Sequence, residues 1–516
     1  MIMKNDKTQV NITPDKFKFV GGGAAIHDEK FETKPVGYFK DAFRRFCKNK
    51  SSVVAAVIIA FLLLFAAIGP FLTPFDVTFS DVNMMNKLPK STVFSFLGWD
   101  GCKNESVKDA DFIRYSAIEA ETGEKVIVKN RGSKIVETQM GINVNRSRYY
   151  DVYVDGYTKT TMVFVQLTVE QYAELQKYQD EHKVQIIYPA VTENDGIYKD
   201  DANVWYKIND GGSKRGLPLI YDSATGEYTL ENNYIAYGGN DGYTSSMRIE
   251  GETPLYDYCI RKSNNNVVCR INYLKYFEYK YGKKPVFFFG TDQYGKDIFA
   301  NLASGARFSL LFACAISVIN LVIGAIYGAV EGYYGGALDL TMERISDILS
   351  GVPFMVVVTL FKLHVASSVG PVVTLLFAFV LTGWIGMAST TRMQFYRYKN
   401  QEYVLAARTL GASDARIMFK HIFPNALGTL VTSCVLVIPG VIFSESSLSY
   451  LGIINLGTSK ITSVGTLLSS GQGYLTTFPH IILFPALFVS LLMISFNLFG
   501  NGLRDAFNPS LRGTED

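Results

Sequence analysis

The stretch Glu402-Tyr403-Val404-Leu405-Ala406-Ala407-Arg408-Thr409-Leu410-Gly411-Ala412-Ser413, running on to His421-Ile422-Phe423-Pro424-Asn425, is a polar elbow set among apolar segments. Ala406, Ala407 and Leu410 allow a short helix with one smooth face. Gly411 can take a positive φ and stop that helix. Ser413 can cap a second helix from Asp414 to His421, which Pro424 ends as the next apolar run begins. Small residues such as Ala412 sit where another protein could approach closely. Such an elbow, projecting from a membrane bundle, is a handle that a partner's groove can receive. The same pattern also suits an amphipathic helix lying on a membrane surface.

Apolar runs of near membrane-spanning length surround the elbow. A hydrocarbon core of about 30 Å needs roughly 20 apolar residues as helix. The candidates are Val53–Phe71, Ser309–Val330, Ile345–Leu363, Val372–Ser389, Leu427–Phe443 and Ile481–Phe499. Asp347 and Pro353 interrupt the third, which is therefore expected to pack inside a bundle rather than face lipid. Arg44, Arg45, Lys48 and Lys50 precede the first span and place the N-terminus inside. Six spans return the C-terminus inside, where Arg504 and Arg512 agree. Arg392, Arg397, Lys399, Arg408, Arg416 and Lys420 put the elbow on the same side. The expected fold is an α-helical membrane protein with six transmembrane helices. Its segments are a cytoplasmic stretch 1–50, helix 1 at 51–73, an extracytoplasmic α+β insertion 74–289, helices 2–6 at 290–503 with the loop 391–426, and a tail 504–516.

The block from about Thr73 to Pro285 is rich in Tyr, Asn, Asp, Lys and Gly and falls outside the cell membrane by this count. Lys125–Lys129, Asp151–Asp155 and Thr161–Leu167 alternate as strands. Thr168-Val169-Glu170-Gln171 is a capping box opening an amphipathic helix to about His182. Cys259 and Cys269 bracket a turn-like polar run, so either a disulfide across a hairpin or two thiols fits. Cys314 and Cys434 lie in apolar runs and are expected to pack there.

Several functions are disfavoured. The net charge of +3 and the lack of a long basic arm speak against nucleic-acid binding. No CxxC, HExxH or close histidine pair points to a metal. The five histidines are expected at surfaces and loops. No GxSxG elbow or catalytic dyad is visible. Gly290 to Lys296 imitates a phosphate-binding loop, but Asp297 follows where a magnesium-binding hydroxyl is needed. Asp297 instead favours a helix N-terminus. Glu445, near the outer end of the fifth span, is an acid at a depth that invites a functional reading. It could line a path, tie an outer gate, or simply be satisfied by Ser446, Ser447 or water.

The elbow, with Ile417, His421, Pro424 and Asn425 following it, resembles the "EAA" loop of ABC-importer permeases, and is most similar to the C-type subunit of oligopeptide/dipeptide permeases. Leu405 stands where the motif's naming glutamate would be. Gly290-Thr291-Asp292-Gln293-Tyr294-Gly295-Lys296-Asp297 with Gly305, Arg307, Ser309 and Leu310 resembles the family segment entering its second span. Glu445 to Gly452 and Gly502 to Ala506 through Pro509 also look like family signatures.

The resemblance covers about Phe287 to Arg512; the large outer block departs from it. It implies that Val404, Leu405, Ala406, Ala407, Arg408, Leu410, Gly411, Ala412, Ser413, Ile417, His421 and Pro424 form a coupling loop docking on an ATPase. It further implies a second homologous permease, two cytoplasmic ATPase subunits that hold the ATP and magnesium, and an extracellular peptide-binding protein. This chain would carry no cofactor of its own. Import of nickel or another small solute is the neighbouring alternative. A membrane-anchored sensor or adhesion module is the alternative of a different class.

Overall fold

The computed structural model describes residues 38–140, 143–188, 266–457 and 461–507, with short strand pieces between 207 and 261. Helix α1 (Tyr38–Lys48) leads into α2 (Lys50–Leu72), whose N-cap Asn49 accepts from the Ser52 amide. Strand β1 (Cys102–Lys108), helix α3 (Asp109–Thr122), β2 (Ile127–Met140), β3 (Asn143–Asp155), β4 (Met162–Leu167), α4 (Val169–His182) and β5 (Ile187–Tyr188) follow. Strand β6 (Val267–Asn272) and α5 (Tyr273–Tyr281) close this α+β region, the outer region of the topology expected from the charges. The membrane-like part contains α6 (Ile298–Tyr334), α7 (Gly336–Ser350), α8 (Phe354–His364), α9 (Ala366–Val369), α10 (Pro371–Gly383) and α11 (Ile385–Tyr398). Then come α12 (Glu402–Thr409), α13 (Asp414–Arg416), α14 (Phe423–Tyr450), α15 (Val464–Gly471) and α16 (His480–Phe507).

In the outer region β3 lies between β1 and β2 in one antiparallel sheet. A second sheet pairs β6 with both β4 and β5. Every residue of β6 is buried, as a central strand covered on both faces requires. The capping box at Thr168 and Gln171 is present in both directions. The strand anticipated at Lys125 begins at Ile127. The side chain of Cys259 lies outside the described residues.

Among the described residues, five helical stretches are long and apolar enough to cross a membrane: Lys50–Leu72, Ile298–Tyr334, Pro371–Tyr398, Asp414–Tyr450 and His480–Phe507. The third expected span is not a straight helix. It breaks between α7 and α8 with a 72° bend, so it counts as a sixth only if the pair is one span. Pro353 supplies the break, since it cannot donate to the helix ladder. The segment is shielded within the bundle only in part: Val357 and Val358 are buried in its core, whereas Ile345, Ile348, Leu360 and Leu363 are exposed. The expected second span starts well before Ser309. Asp297 caps α6 by accepting from the Phe299 amide at 2.9 Å, so its 37 residues extend beyond the hydrocarbon core.

The bundle packs around α6. Gly324, Gly328 and Gly332 line one face of α6 at four-residue spacing, and a Cβ on any of them would collide with α11 at Met387, Ala388 or Arg392. The two backbones therefore touch, which in a membrane replaces the hydrophobic driving force with close van der Waals contact. Helix α1 lays Ala42 and Phe46 against Leu503, Ala506 and Phe507 of α16.

Outer region and bundle meet in an interlocked seam. The Asn86 amide donates to the Asp292 carbonyl, the Thr291 amide to the Lys87 carbonyl and the Lys90 amide to the Phe287 carbonyl, each at 2.9 Å. Tyr157 Oη donates to the Leu88 carbonyl at 2.8 Å. Tyr273 and Tyr281 both donate to buried Asp81. His480 sits in this seam with Nε2 3.3 Å from the Thr291 carbonyl, so it is a buried residue and not the surface histidine expected. Cys314 is exposed on α6 rather than packed, while Cys434 is half-buried.

Candidate functional site

The elbow is built as a bracket with an inner and an outer side. Helix α12 ends where the Leu410 amide bonds back to the Ala406 carbonyl. Gly411 then takes φ of +82°, the left-handed turn that the sequence anticipated there. The Ala412 amide returns to the Ala407 carbonyl at 3.0 Å and closes the turn. Ser413 has the extended backbone of an N-cap, but its side chain makes no cap bond; only its carbonyl is used, by the Ile417 amide. Nor does Pro424 end the second helix. The ladder slips to a π turn through Ile417–Ile422, with the Phe423 amide reaching the Met418 carbonyl. Pro424 has no N–H to offer Lys420, and the wider turn lets the helix pass on into α14.

The candidate coupling residues divide by burial. Val404 and Ile417 are fully buried, packed with Ala329, Tyr333, Phe395 and Ile422. Ala407, Ala412 and His421 are half-buried. Leu405, Ala406, Arg408, Leu410, Gly411, Ser413 and Pro424 are exposed, and Leu410, at 88%, is almost wholly so. An apolar side chain carried at the crest of a rigid turn is surface available to a partner. Two polar ties hold the bracket to α6. Tyr333 Oη donates to Asp414 Oδ1 at 2.6 Å, and the Arg408 guanidinium lies 5.8 Å from the Tyr333 ring centre.

Behind the elbow is an ion network that sequence reasoning missed. Arg392 on α11 bonds Asp339 of α7 through Nε at 2.7 Å and Nη2 at 3.0 Å. Its Nη1 bonds Glu343 at 2.8 Å, and Glu331 of α6 lies 3.6 Å from Nε. Tyr396 also donates to Asp339, and Lys399 Nζ donates to the Gly332 carbonyl. Arg392 had been counted only as a charge that orients the chain. Asp339 and Glu343, four apart on one helix face, were the signal that a cation should be sought for them.

Glu445 is fully buried at the other end of α14. Its carboxylate accepts from Ser463 Oγ at 2.7 Å, Ser309 Oγ at 3.2 Å and Ser449 Oγ at 3.3 Å. Ser463 is the N-cap of α15, with a complete capping box to Thr466. Glu445 thus joins α6, α14 and α15, and neither Ser447 nor a water is needed to satisfy it. A buried carboxylate demands such partners. Among the described residues no cluster of His, Cys, Asp or Glu could hold a metal.

Among the perturbed groups of the seam outside the membrane helices are Lys87 and Asp297. Burial, and next the charge of Lys159, push the Lys87 ammonium down to about 7. Its Nζ donates to the Gly156 carbonyl at 2.9 Å and to Thr160. Burial pushes the Asp297 carboxyl up to about 6, against hydrogen bonds from Thr73 and the Phe299 amide.

The chain matches two family profiles. Residues 320–513 match the binding-protein-dependent transport system inner membrane component, and residues 37–89 match the N-terminal membrane domain of oligopeptide transport permease C. Residues 90–319 fall outside both matches. The oligopeptide transport system permease protein OppC of Bacillus subtilis is 44% identical over 225 residues, which is 43% of this chain and 72% of the relative. The dipeptide transport system permease protein DppC of the same organism is 41% identical over 226 residues, or 43% of this chain and 69% of the relative. OppC of Escherichia coli K12 is 38% identical over 227 residues, or 44% and 73%.

Proposed function

The chain belongs to the family of binding-protein-dependent transport system inner membrane components, and from that premise we propose that it is the membrane-spanning subunit of an ATP-driven importer of oligopeptides or dipeptides. The observation that carries the proposal is the divided elbow. Val404 and Ile417 root it in the bundle, while Leu405, Arg408 and Leu410 face outward from it. A handle of this kind transmits force only if it is stiff at its root and accessible at its crest.

In this reading the elbow faces the cytoplasm and seats in a groove of an ATPase subunit. Two such ATPases hold the nucleotide, and a second permease of the same family completes the path. Closure of the ATPase pair moves α12 and α13. Their ties to Tyr333, and through α11 to Arg392, carry the movement into α6 and α7. The bundle then exchanges inward- and outward-open states by differential contact, as any two-state switch must. Glu445 ties the outer hairpin between α14 and α16 to α6 and so steadies an outer gate. Peptide arrives from an extracellular binding protein and leaves inside. The outer α+β region is an insertion that receives that protein. Strand Cys259–Arg261 pairs with β6 in the register Ile260 to Val268 and Arg261 to Val267, a pairing that supports a disulfide between Cys259 and Cys269.

Leu410→Asp tests the reading. Leu410 touches little of its own chain, so the substitution should alter stability by no more than about 0.5 kcal/mol. ATP-dependent uptake of labelled peptide should fall at least tenfold, about 1.4 kcal/mol of lost coupling, and the ATPases should no longer co-purify. Undiminished uptake would remove the elbow from the mechanism. Uptake competed by nickel and not by short peptides would replace the substrate.

A further inference from the structure

The outer region carries an apolar loop whose position relative to the bundle is fixed. Residues 91–99 read Ser91-Thr92-Val93-Phe94-Ser95-Phe96-Leu97-Gly98-Trp99 and contain no charged side chain. The Ser91 amide bonds the Trp99 carbonyl at 2.7 Å and closes the loop at its base. Ser95–Leu97 forms one 3₁₀ turn, ended by Gly98 at φ +88°. At the tip Val93 is 68% exposed and Phe96 78%. The charges that flank the loop are occupied: Lys90 pairs with Asp155 at 2.8 Å, and Asp100 accepts from Tyr153 Oη at 2.7 Å.

The base of this loop is tied to the outer ends of three membrane helices. Trp99 Nε1 donates to the Phe288 carbonyl at 2.6 Å, and its ring lies 6.2 Å from that of Phe484 near the start of α16. Phe288 in turn meets Phe94 at 5.8 Å and Phe299, in the first turn of α6, at 5.8 Å. Ser91 and Thr92 share the wall of a cavity of about 370 Å³ with Leu72, the last residue of α2, and with Thr73 and Pro74. Helix α2 carries an apolar outward face, with Val57, Phe61, Phe71 and Leu72 all exposed. The loop therefore stands beside the outward face of α2, at the level where that helix ends.

We propose that loop 91–97 is a bilayer anchor, whose Val93, Phe94 and Phe96 side chains enter the interface of the outer leaflet while Trp99 sits at headgroup level. The loop adjoins Leu72 across that cavity, and Phe71 beside it carries the Arg307 guanidinium 5.3 Å from its ring centre, a cation at the level of the lipid headgroups. An uncharged turn with two phenylalanines and a tryptophan is the composition that partitions to this depth. The anchor adds a third attachment of the outer region to the membrane, beside its two covalent links to α2 and α6. The inference rests on α2 spanning a bilayer and not on what is transported.

The test places a nitroxide at residue 96, 93, 61 or 129 in turn, by Phe96→Cys, Val93→Cys, Phe61→Cys or Lys129→Cys, in the full chain within its complex in lipid nanodiscs. Signal from the identically labelled parent is subtracted. Phe61 reports the lipid face of α2, and exposed Lys129 on β2 reports bulk water. At 93 and 96, collisions with oxygen should exceed those with a water-soluble nickel chelate several-fold more than at 129, and transfer to a short-chain detergent should lower that ratio. Water-like values at 93 and 96, with a lipid-like value at 61, overturn the anchor and leave the spanning of α2 intact. Protection that appears only when the extracellular binding protein is added also overturns it and assigns the loop to a protein partner. A water-like value at 61 overturns the spanning of α2, and the anchor with it.

Discussion

The elbow and the seam are two solutions to joining a soluble surface to a membrane bundle. The elbow is held at few points: a small apolar root, one tyrosine–aspartate bond and one stacked arginine. Its crest is left uncovered. The seam is the reverse. Backbone amides and carbonyls of 86–90 and 287–292 bond each other, and tyrosines close over Asp81. The first arrangement keeps its outer side open for another molecule. The second uses most of its polar groups internally, although Asn86 Oδ1 and His480 Nδ1 stay buried without a partner among the described residues. A chain that must be moved at one end and keep its shape at the other needs both.

Arg392→Ala should break this contrast most severely. It leaves Asp339, Glu343 and Glu331 crowded without their cation, at a cost of about 3 kcal/mol. Thermal unfolding of this chain purified without ATPase subunits should show it as a drop in midpoint, whereas Leu410→Asp should not move the midpoint. Equal shifts for the two would mean that the crest is as integrated as the network behind it.

Glu445→Ala comes next. It removes an acceptor from three serine hydroxyls and should cost about 2 kcal/mol. Glu445→Gln keeps an acceptor and should recover most of that loss. Proteolysis at the outer loop before α15 is the readout, and a glutamine variant as labile as the alanine one would show that the charge itself is required.

Much of this architecture was legible in the residues. Gly411 announced its turn because an exposed glycine between two helical runs has few other uses. The Thr168–Gln171 box depends only on neighbours in sequence, and it formed as written. What escaped depends on partners far along the chain. Gly324, Gly328 and Gly332 declare a close approach but not to what, and only the fold supplies α11. Arg392 reads as an orienting charge until α7 brings Asp339 beside it. Pro353 announced an interruption without its angle. Pro424 looked like a terminator because the local pattern does not contain the π turn that accommodates it. Glu445 was recognised as unusual, yet its serine partners lie on three different segments.

The most local effect sharpens the seam. Lys87 titrates near 7 when folded against about 10.4 when unfolded, so above pH 7 the unfolded state holds the extra proton. Local stability should therefore rise with pH from about 7 to 10, by at most about 1.4 kcal/mol per pH unit. Asp297, raised to about 6, acts in another window: its contribution is present below its unfolded value near 3.9 and is lost as pH climbs through 6. Hydrogen exchange at 86–91, compared at each pH with Lys87→Met, should show the rise in the parent chain and a flat profile in the variant. Parallel profiles would mean that the amine is not buried as described.

The most direct measurement is the sidedness and occupancy of residue 410. A cysteine there, by Leu410→Cys, is treated in intact cells and in inverted vesicles, in separate samples, with a membrane-impermeant maleimide or with a short bifunctional cross-linker, and the signal of the parent chain with its exposed Cys47 and Cys314 is subtracted. The account predicts labelling only in inverted vesicles, together with an adduct between this chain and an ATPase subunit that changes in yield when ATP is added. Labelling from outside intact cells, or no adduct in any nucleotide state, would contradict it.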